Sequence, residues 1–245
     1  MHRRMETAVV AAAAEGVRRE LIYALAACRI ELLAMERSAS AALDSLRRMH
    51  PDLLIADEQL PQLDGASLAC IAASSRELAV RPAAVLLHTP GFAVPRKIVL
   101  DQTGAVWVEK PVTAAALSRA VETLEAAPPF FPEREVLLAD RLLDALGMPD
   151  HIGRSCLKAA VLLCAGDTRY RSSLTGRLYP AAGSLCQLSA AQAERSMRHA
   201  IDLAWQSNQF ENQYRIFADT VDAGRGQPTC GEMISRLADI LRLEG

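Results

Sequence analysis

The chain of 245 residues has no apolar run as long as the roughly 18 residues that a membrane-crossing helix needs. Its start, MHRRMETAVVAAAAEG, is too short and too soon acidic for a secretory signal. A cytoplasmic protein with no membrane partner is the expectation. An excess of one charge is missing too: the net value is −2, so nothing global announces nucleic acid and any basic patch must be local. No C-x-x-C pair occurs, and Cys28, Cys70, Cys156, Cys164, Cys186 and Cys230 are scattered in apolar neighbourhoods. They read as small buried hydrophobes rather than as a thiol enzyme or a zinc site. His2, His50, His88, His151 and His199 show no ligand spacing either. With neither a nucleophile–base pair nor a metal cluster in view, an enzyme is the least supported class.

What is present is 51% hydrophobic residues, ample for two cores, in a length that exceeds one typical domain of about 100 to 150 residues. A linker is expected at residues 126–135, where AAPPFFPERE breaks a helical pattern with the composition of a semi-rigid spacer. It separates residues 5–125 from residues 136–245. In the first part, apolar strands alternate with helical stretches: TAVVAAA, ELLAM, DLLIA, AAVLLH and AVWVE are followed in turn by GVRRELIYALAAC, SASAALDSLRRMH, the segment after Asp64-Gly65, a short helix around Val94 to Asp101, and TAAALSRAVETLEAA. Such alternation builds a doubly wound, five-stranded parallel sheet of flavodoxin-like type, with ligand chemistry at the carboxyl ends of its strands. The second part is predicted to be all α-helical. EREVLLADRLLDAL ends at Gly147, HIGRSCLKAAVLLCA ends at Gly166, a short segment spans Glu211 to Ala218, and a capping box at Thr229 to Glu232 opens EMISRLADILRL.

Three polar residues fall at those carboxyl ends. Asp57 follows DLLIA, Thr89 follows AAVLLH, and Lys110 follows AVWVE with Pro111 behind it. A carboxylate, a hydroxyl and an ammonium on one rim suit phosphoryl transfer to an aspartate, as one nucleophile and two donors for phosphoryl oxygens. Taken singly, each reads as a strand-end polar residue facing water.

Residues 189–205, SAAQAERSMRHAIDLAW, read as a two-faced helix. Ala193, Met197, Ala200, Ile201 and Ala204 recur at core spacing, and Ser189 with Gln192 can cap its start. Gln192, Arg195, Arg198, His199 and Asp202 fall away from that stripe. Arginine reads guanine and glutamine reads adenine from the N-terminal half of a recognition helix. The alternative is a solvated face in which Glu194 and Arg198 form an ordinary i,i+4 pair. Upstream, SSLTGRLYPAAGSLCQL, residues 172–188, reads as a shorter helix delivered by a tight turn into Ser189, which makes a helix-turn-helix.

The loop Asp57-Glu-Gln-Leu-Pro-Gln-Leu-Asp64-Gly65, with the pair Lys110-Pro111, resembles the response-regulator receiver family. That resemblance implies Asp57 as phospho-acceptor, Thr89 as switch hydroxyl, Lys110 as phosphate-binding lysine and Trp107 at the aromatic switch position. It also implies magnesium or another divalent cation, held through Glu15, Asp57 and Gln59, but here the chain departs from the pattern. Ala14 or Ala13 stands where the first acidic ligand belongs, and Glu15 in the second place is a methylene longer than aspartate. Losing a carboxylate weakens a hard-cation site. Glu58 beside the acceptor is expected to point away across the strand, and Pro90 to stiffen the loop after Thr89. Two readings stay open: a phospho-switch with a weakened metal site, and a degenerate receiver kept for dimerisation or for binding another regulator.

Within residues 136–245, Leu178-Tyr179-Pro180, Glu194-Arg195, Arg198-His199-Ala200-Ile201, Trp205, Gln227-Pro228-Thr229 and Leu241-Arg242-Leu243-Glu244 resemble the DNA-binding domain of the stage zero sporulation regulator A family. The resemblance implies binding to TGTCGAA-like boxes in double-stranded promoter DNA as a homodimer, with RNA polymerase and an upstream histidine kinase or phosphotransferase as further partners. It places Glu194, Arg195 and Arg198 at base edges with Gln192 and His199 nearby. Arg169, Arg171 and Arg177 are expected at phosphates, which give affinity without sequence preference. A protein-interaction module that handles neither phosphate nor DNA is the competing class.

Overall fold

The computed structural model describes residues 4–91, 96–207, 209–217 and 226–244. His2, Val94 and Ala218 lie outside the described residues. The chain divides into two compact units, residues 2–132 and residues 133–245.

The first unit is a parallel sheet of β1 (Thr7–Ala11), β2 (Glu31–Glu36), β3 (Leu53–Asp57), β4 (Ala83–His88) and β5 (Val106–Glu109), in the order β2-β1-β3-β4-β5. Strand side chains alternate between two cores, as a period of two requires. Ala8, Val10, Leu53, Ile55, Val85 and Leu87 face α1 (Glu15–Ala27) and α5 (Ala114–Ala126). Val9, Ala11, Leu54, Ala56, Ala84 and Leu86 face α2 (Ala39–Met49), α3 (Gly65–Ser74) and α4 (Arg96–Thr103). Every residue of β3 is buried, because helices cover both faces of a parallel sheet. Ser38, Asp64 and Thr113 cap α2, α3 and α5 with side-chain oxygens that accept from backbone N–H groups. The first strand is shorter than its apolar run, since the chain leaves the sheet after Ala11 and turns through Ala14 into α1.

The second unit is all-helical among the described residues: α6 (Glu133–Ala145), α7 (Ile152–Gly166), α8 (Tyr179–Leu185), α9 (Ala190–Trp205), α10 (Phe210–Phe217) and α11 (Cys230–Glu244). The five apolar residues singled out on α9 are all buried, and Ser189 and Gln192 form the reciprocal capping box. Thr229 and Glu232 cap α11 in the same way. Gly153 of α7 lets α9 approach closely: a Cβ there would overlap the Ser196 carbonyl and touch Ala200.

One element differs from expectation. Residues 172–188 are not one helix: a 3₁₀ turn at Thr168–Ser172 and a wide turn at Leu174–Leu178 precede α8. Ser173 leaves helical geometry at φ −148°, ψ 74°, and Pro180 restarts the helix in its first turn, where its missing N–H costs nothing. Cys156, Cys164 and Cys230 are buried, and Cys28, Cys70 and Cys186 are half-buried. Burial pushes the Cys164 thiol up to about 12, which leaves it a poor nucleophile.

Candidate functional site

In the first unit the rim is built at the carboxyl ends of β3, β4 and β5. Asp57, 1% exposed, ends β3. Lys110 Nζ donates to its Oδ1 at 2.7 Å, and the backbone N–H of Gln59 donates to the same oxygen at 3.0 Å. Lys110 reaches that place because its peptide is anchored twice. Its own N–H donates to the His88 carbonyl at 2.9 Å, and the N–H of Val112 donates to Glu20 Oε2 of α1 at 2.8 Å across a cis Lys110–Pro111 bond. The sequence-predicted Asp57 and Lys110 are therefore in direct contact, a buried ion pair rather than two solvated strand ends.

Thr89 follows β4, and its backbone N–H donates to Glu58 Oε1. The other oxygen of Glu58 accepts from His88 Nδ1 at 3.0 Å. Glu58 does turn away from Asp57, as its place in the strand predicts, yet it turns into the protein and not into water. Burial alone would push its carboxyl up, but the Thr89 N–H and the His88 ring outweigh that and hold it below the usual carboxylate range. His88 in turn stands edge-on to Trp107 of β5, with ring centroids 6.2 Å apart at 89°. Sequence reasoning passed over Glu58 and His88 as site residues. The signal was there, an acid and an imidazole each at the end of an otherwise apolar strand, but their pairing depends on strand register.

Glu15, expected as a cation ligand, pairs with arginines at the surface in this structure. It opens α1 with its side chain 55% exposed, and its carboxylate takes Arg37 Nη2 at 3.0 Å, with Arg18 and Arg19 also in reach. Behind it, Ala12 is fully buried and Ala14 caps the helix with no side-chain oxygen to offer. Among the described residues no group of three or more His, Cys, Asp or Glu side chains forms a metal cluster. Asp57 is occupied by Lys110, and Glu58 by His88 and Thr89.

In the second unit, α8 and α9 are joined by a turn at Cys186–Leu188, in which Gln187 adopts φ +58°. Arg195 projects from α9, exposed, and makes no hydrogen bond or ion pair among the described residues. Arg198, 64% exposed, pairs with Glu194 at 2.6 Å, the i,i+4 contact foreseen as the plainer alternative. Gln192 spends its carbonyl oxygen on the Ser189 N–H and hydroxyl, which leaves only its amide nitrogen for a partner. His199 is exposed, and its ring stands 5.7 Å from that of His151, the N-cap of α7.

The three arginines expected at phosphates differ. Arg169 forks onto Asp167, with Nε and Nη2 both donating. Arg171 reaches Asp239 of α11 at 2.6 Å and is largely covered. Arg177 stands exposed in the Leu174–Leu178 turn. Arg171 is thus a tie between two segments of the domain, invisible in a sequence where Asp239 lies far downstream.

The strand order and parallel sheet define a doubly wound flavodoxin-like fold with the Asp57–Lys110 pair on its rim, followed by an all-helical domain that contains a helix-turn-helix. Residues 139–241 match the family described as "Sporulation initiation factor Spo0A C terminal". Among solved structures, a protein assigned as a response regulator from Chloroflexus aurantiacus J-10-fl is 24% identical over 51% of this chain and 100% of its own, with a TM-score of 0.44. The receiver domain of the sensor histidine kinase PA1611 from Pseudomonas aeruginosa PAO1, which coordinates magnesium in its active-site cleft, is 17% identical over 50% of this chain and 99% of its own, with a TM-score of 0.43. A response regulator receiver domain protein from Clostridium thermocellum is 19% identical over 49% of this chain and 94% of its own, with a TM-score of 0.41.

Proposed function

We propose that this chain is a sequence-specific DNA-binding transcription regulator of the sporulation-regulator type. The observation that carries the reading is Arg195: an exposed guanidinium on the first half of α9, unpaired among the described residues, in a domain whose residues 139–241 match the sporulation initiation factor family. Arg195 is the side chain best placed to read guanine bidentately, with Arg198, Glu194, Gln192 and His199 beside it and Arg177 at a phosphate. The target is double-stranded promoter DNA carrying TGTCGAA-like boxes, bound as a homodimer, with RNA polymerase as the partner on that DNA. The test is fluorescence anisotropy of the full chain on a box-containing duplex and on a scrambled one at a single stated salt concentration. Preference for the box supports the reading, whereas equal or absent binding overturns it in favour of a protein-interaction module.

A second reading concerns the receiver-type domain. Glu15 is committed to arginines, and this favours a receiver that works without magnesium-dependent phosphorylation, as a dimerisation or regulator-binding domain. Incubation with magnesium and acetyl phosphate tests it by mass. A phosphoryl adduct lost in Asp57→Asn would restore the phospho-switch and bring a kinase or phosphotransferase back as partner.

A further inference from the structure

Two strands of the sheet, β3 and β4, meet at one buried carboxylate. Glu58 extends the β3–β4 ladder by one residue, its N–H donating to the Leu87 carbonyl at 3.1 Å, and its side chain is 3% exposed. One oxygen holds the backbone N–H of Thr89, the other holds the ring of His88, and that ring stands against the indole of Trp107. A buried carboxylate with a donor on each oxygen is a strong local constraint, because moving any partner leaves a charge unsatisfied away from water. Pro90 follows Thr89 with a fixed φ and no N–H, so the chain has little freedom to leave that anchor.

Asp57 stands apart from this set. Its charge is met by Lys110 and the Gln59 N–H, and no hydrogen bond links Asp57 to Glu58, His88 or Thr89 among the described residues. The rim therefore carries two separate anion sites one residue apart in sequence: Asp57, with the ammonium, and Glu58, with the residues that end β4.

We infer that Glu58 is a positioning residue, a fixed internal anion that sets the place of Thr89 and, through His88, of Trp107, so that this side of the rim is held in one state whatever the charge on Asp57. The inference rests on reading this domain as a receiver, and it deepens that reading: the anion that holds the Thr89 backbone N–H is built into the chain.

The experiment uses the full chain and reads the rim locally. Hydrogen exchange of peptides covering residues 86–91 reports the Thr89 amide, and acrylamide quenching in a Trp205→Phe background reports Trp107. Glu58→Ala is expected to speed exchange at Thr89 by about tenfold or more, the loss of one buried charge-assisted bond, and to raise quenching of Trp107. Glu58→Gln keeps an acceptor for the Thr89 N–H and is expected to fall between wild type and Glu58→Ala. It also serves if the alanine variant does not fold. Asp57→Asn, and magnesium with acetyl phosphate, are expected to leave both readouts unchanged. The inference is overturned if Asp57→Asn or the phosphoryl donor moves Thr89 exchange and Trp107 quenching as far as Glu58→Ala does, or if both Glu58 variants behave as wild type. Neither readout involves DNA, so loss of box preference would sink the regulator reading while this result stands by itself.

Discussion

Gly65 lies against the backbone of Asp57, so close that a Cβ at position 65 would overlap the Asp57 carbonyl. The helix α3 begins there, directly after the loop that follows Asp57, with Asp64 as its cap. The glycine is needed for closeness and not for an unusual φ.

Gly65→Ala is therefore expected to push α3 and the end of β3 apart, and to destabilise the first unit by about 1 to 3 kcal/mol, the usual cost of overpacking against backbone. Urea unfolding followed by circular dichroism measures it. An alanine variant as stable as wild type would show that the loop yields freely.

Lys110→Met leaves the Asp57 carboxylate buried without its counter-charge. The expected loss is about 3 kcal/mol or more, since breaking one side of a buried pair costs far more than the pair contributes. Asp57→Asn in the Lys110→Met background is expected to recover much of it, giving a coupling that a double-mutant cycle in urea detects.

The arginines of the second unit are expected to separate into three behaviours. Arg195→Ala costs about 1 to 3 kcal/mol on box DNA and relaxes specificity, with little effect on scrambled duplex. Arg177→Ala weakens binding evenly and lowers the salt slope by about 1. Arg171→Ala, which loses Asp239, lowers the thermal midpoint and leaves the salt slope alone. Anisotropy across a salt series, paired with thermal unfolding, distinguishes them.

Glu58 also makes an acid-range prediction. Its folded pKa is depressed, so its contribution is present above the unfolded carboxylate value of about 4.3 and is lost as pH falls through the lower folded value. Glu58→Gln is expected to flatten the dependence of stability on pH in that window. A slope identical to wild type would mean that the folded carboxyl titrates as in the unfolded chain.

Much of the architecture was legible before any coordinates. The apolar alternation of DLLIA and AAVLLH became two central strands with both faces covered. The stripe of Ala193, Met197, Ala200, Ile201 and Ala204 became the buried side of α9. The Asp57, Thr89 and Lys110 positions did arrive at one rim, since a doubly wound sheet brings its carboxyl ends together whatever loops lie between. The segment 172–188 is not one helix, because its apolar spacing survives a break at Ser173 that only the backbone geometry shows.

The sequence by itself determined the elements and their buried faces, because those follow from periods of two and of three to four residues and from caps within a single turn. Only the tertiary structure decided which charges are spent. Glu15 went to Arg37, Glu58 to His88 and Thr89, and Arg171 to Asp239, while Arg195 and Arg177 were left exposed. The reason is physical: an ion pair forms between side chains that packing brings within about 4 Å, and for residues far apart in the chain that distance is set by register and helix docking, not by neighbours in sequence.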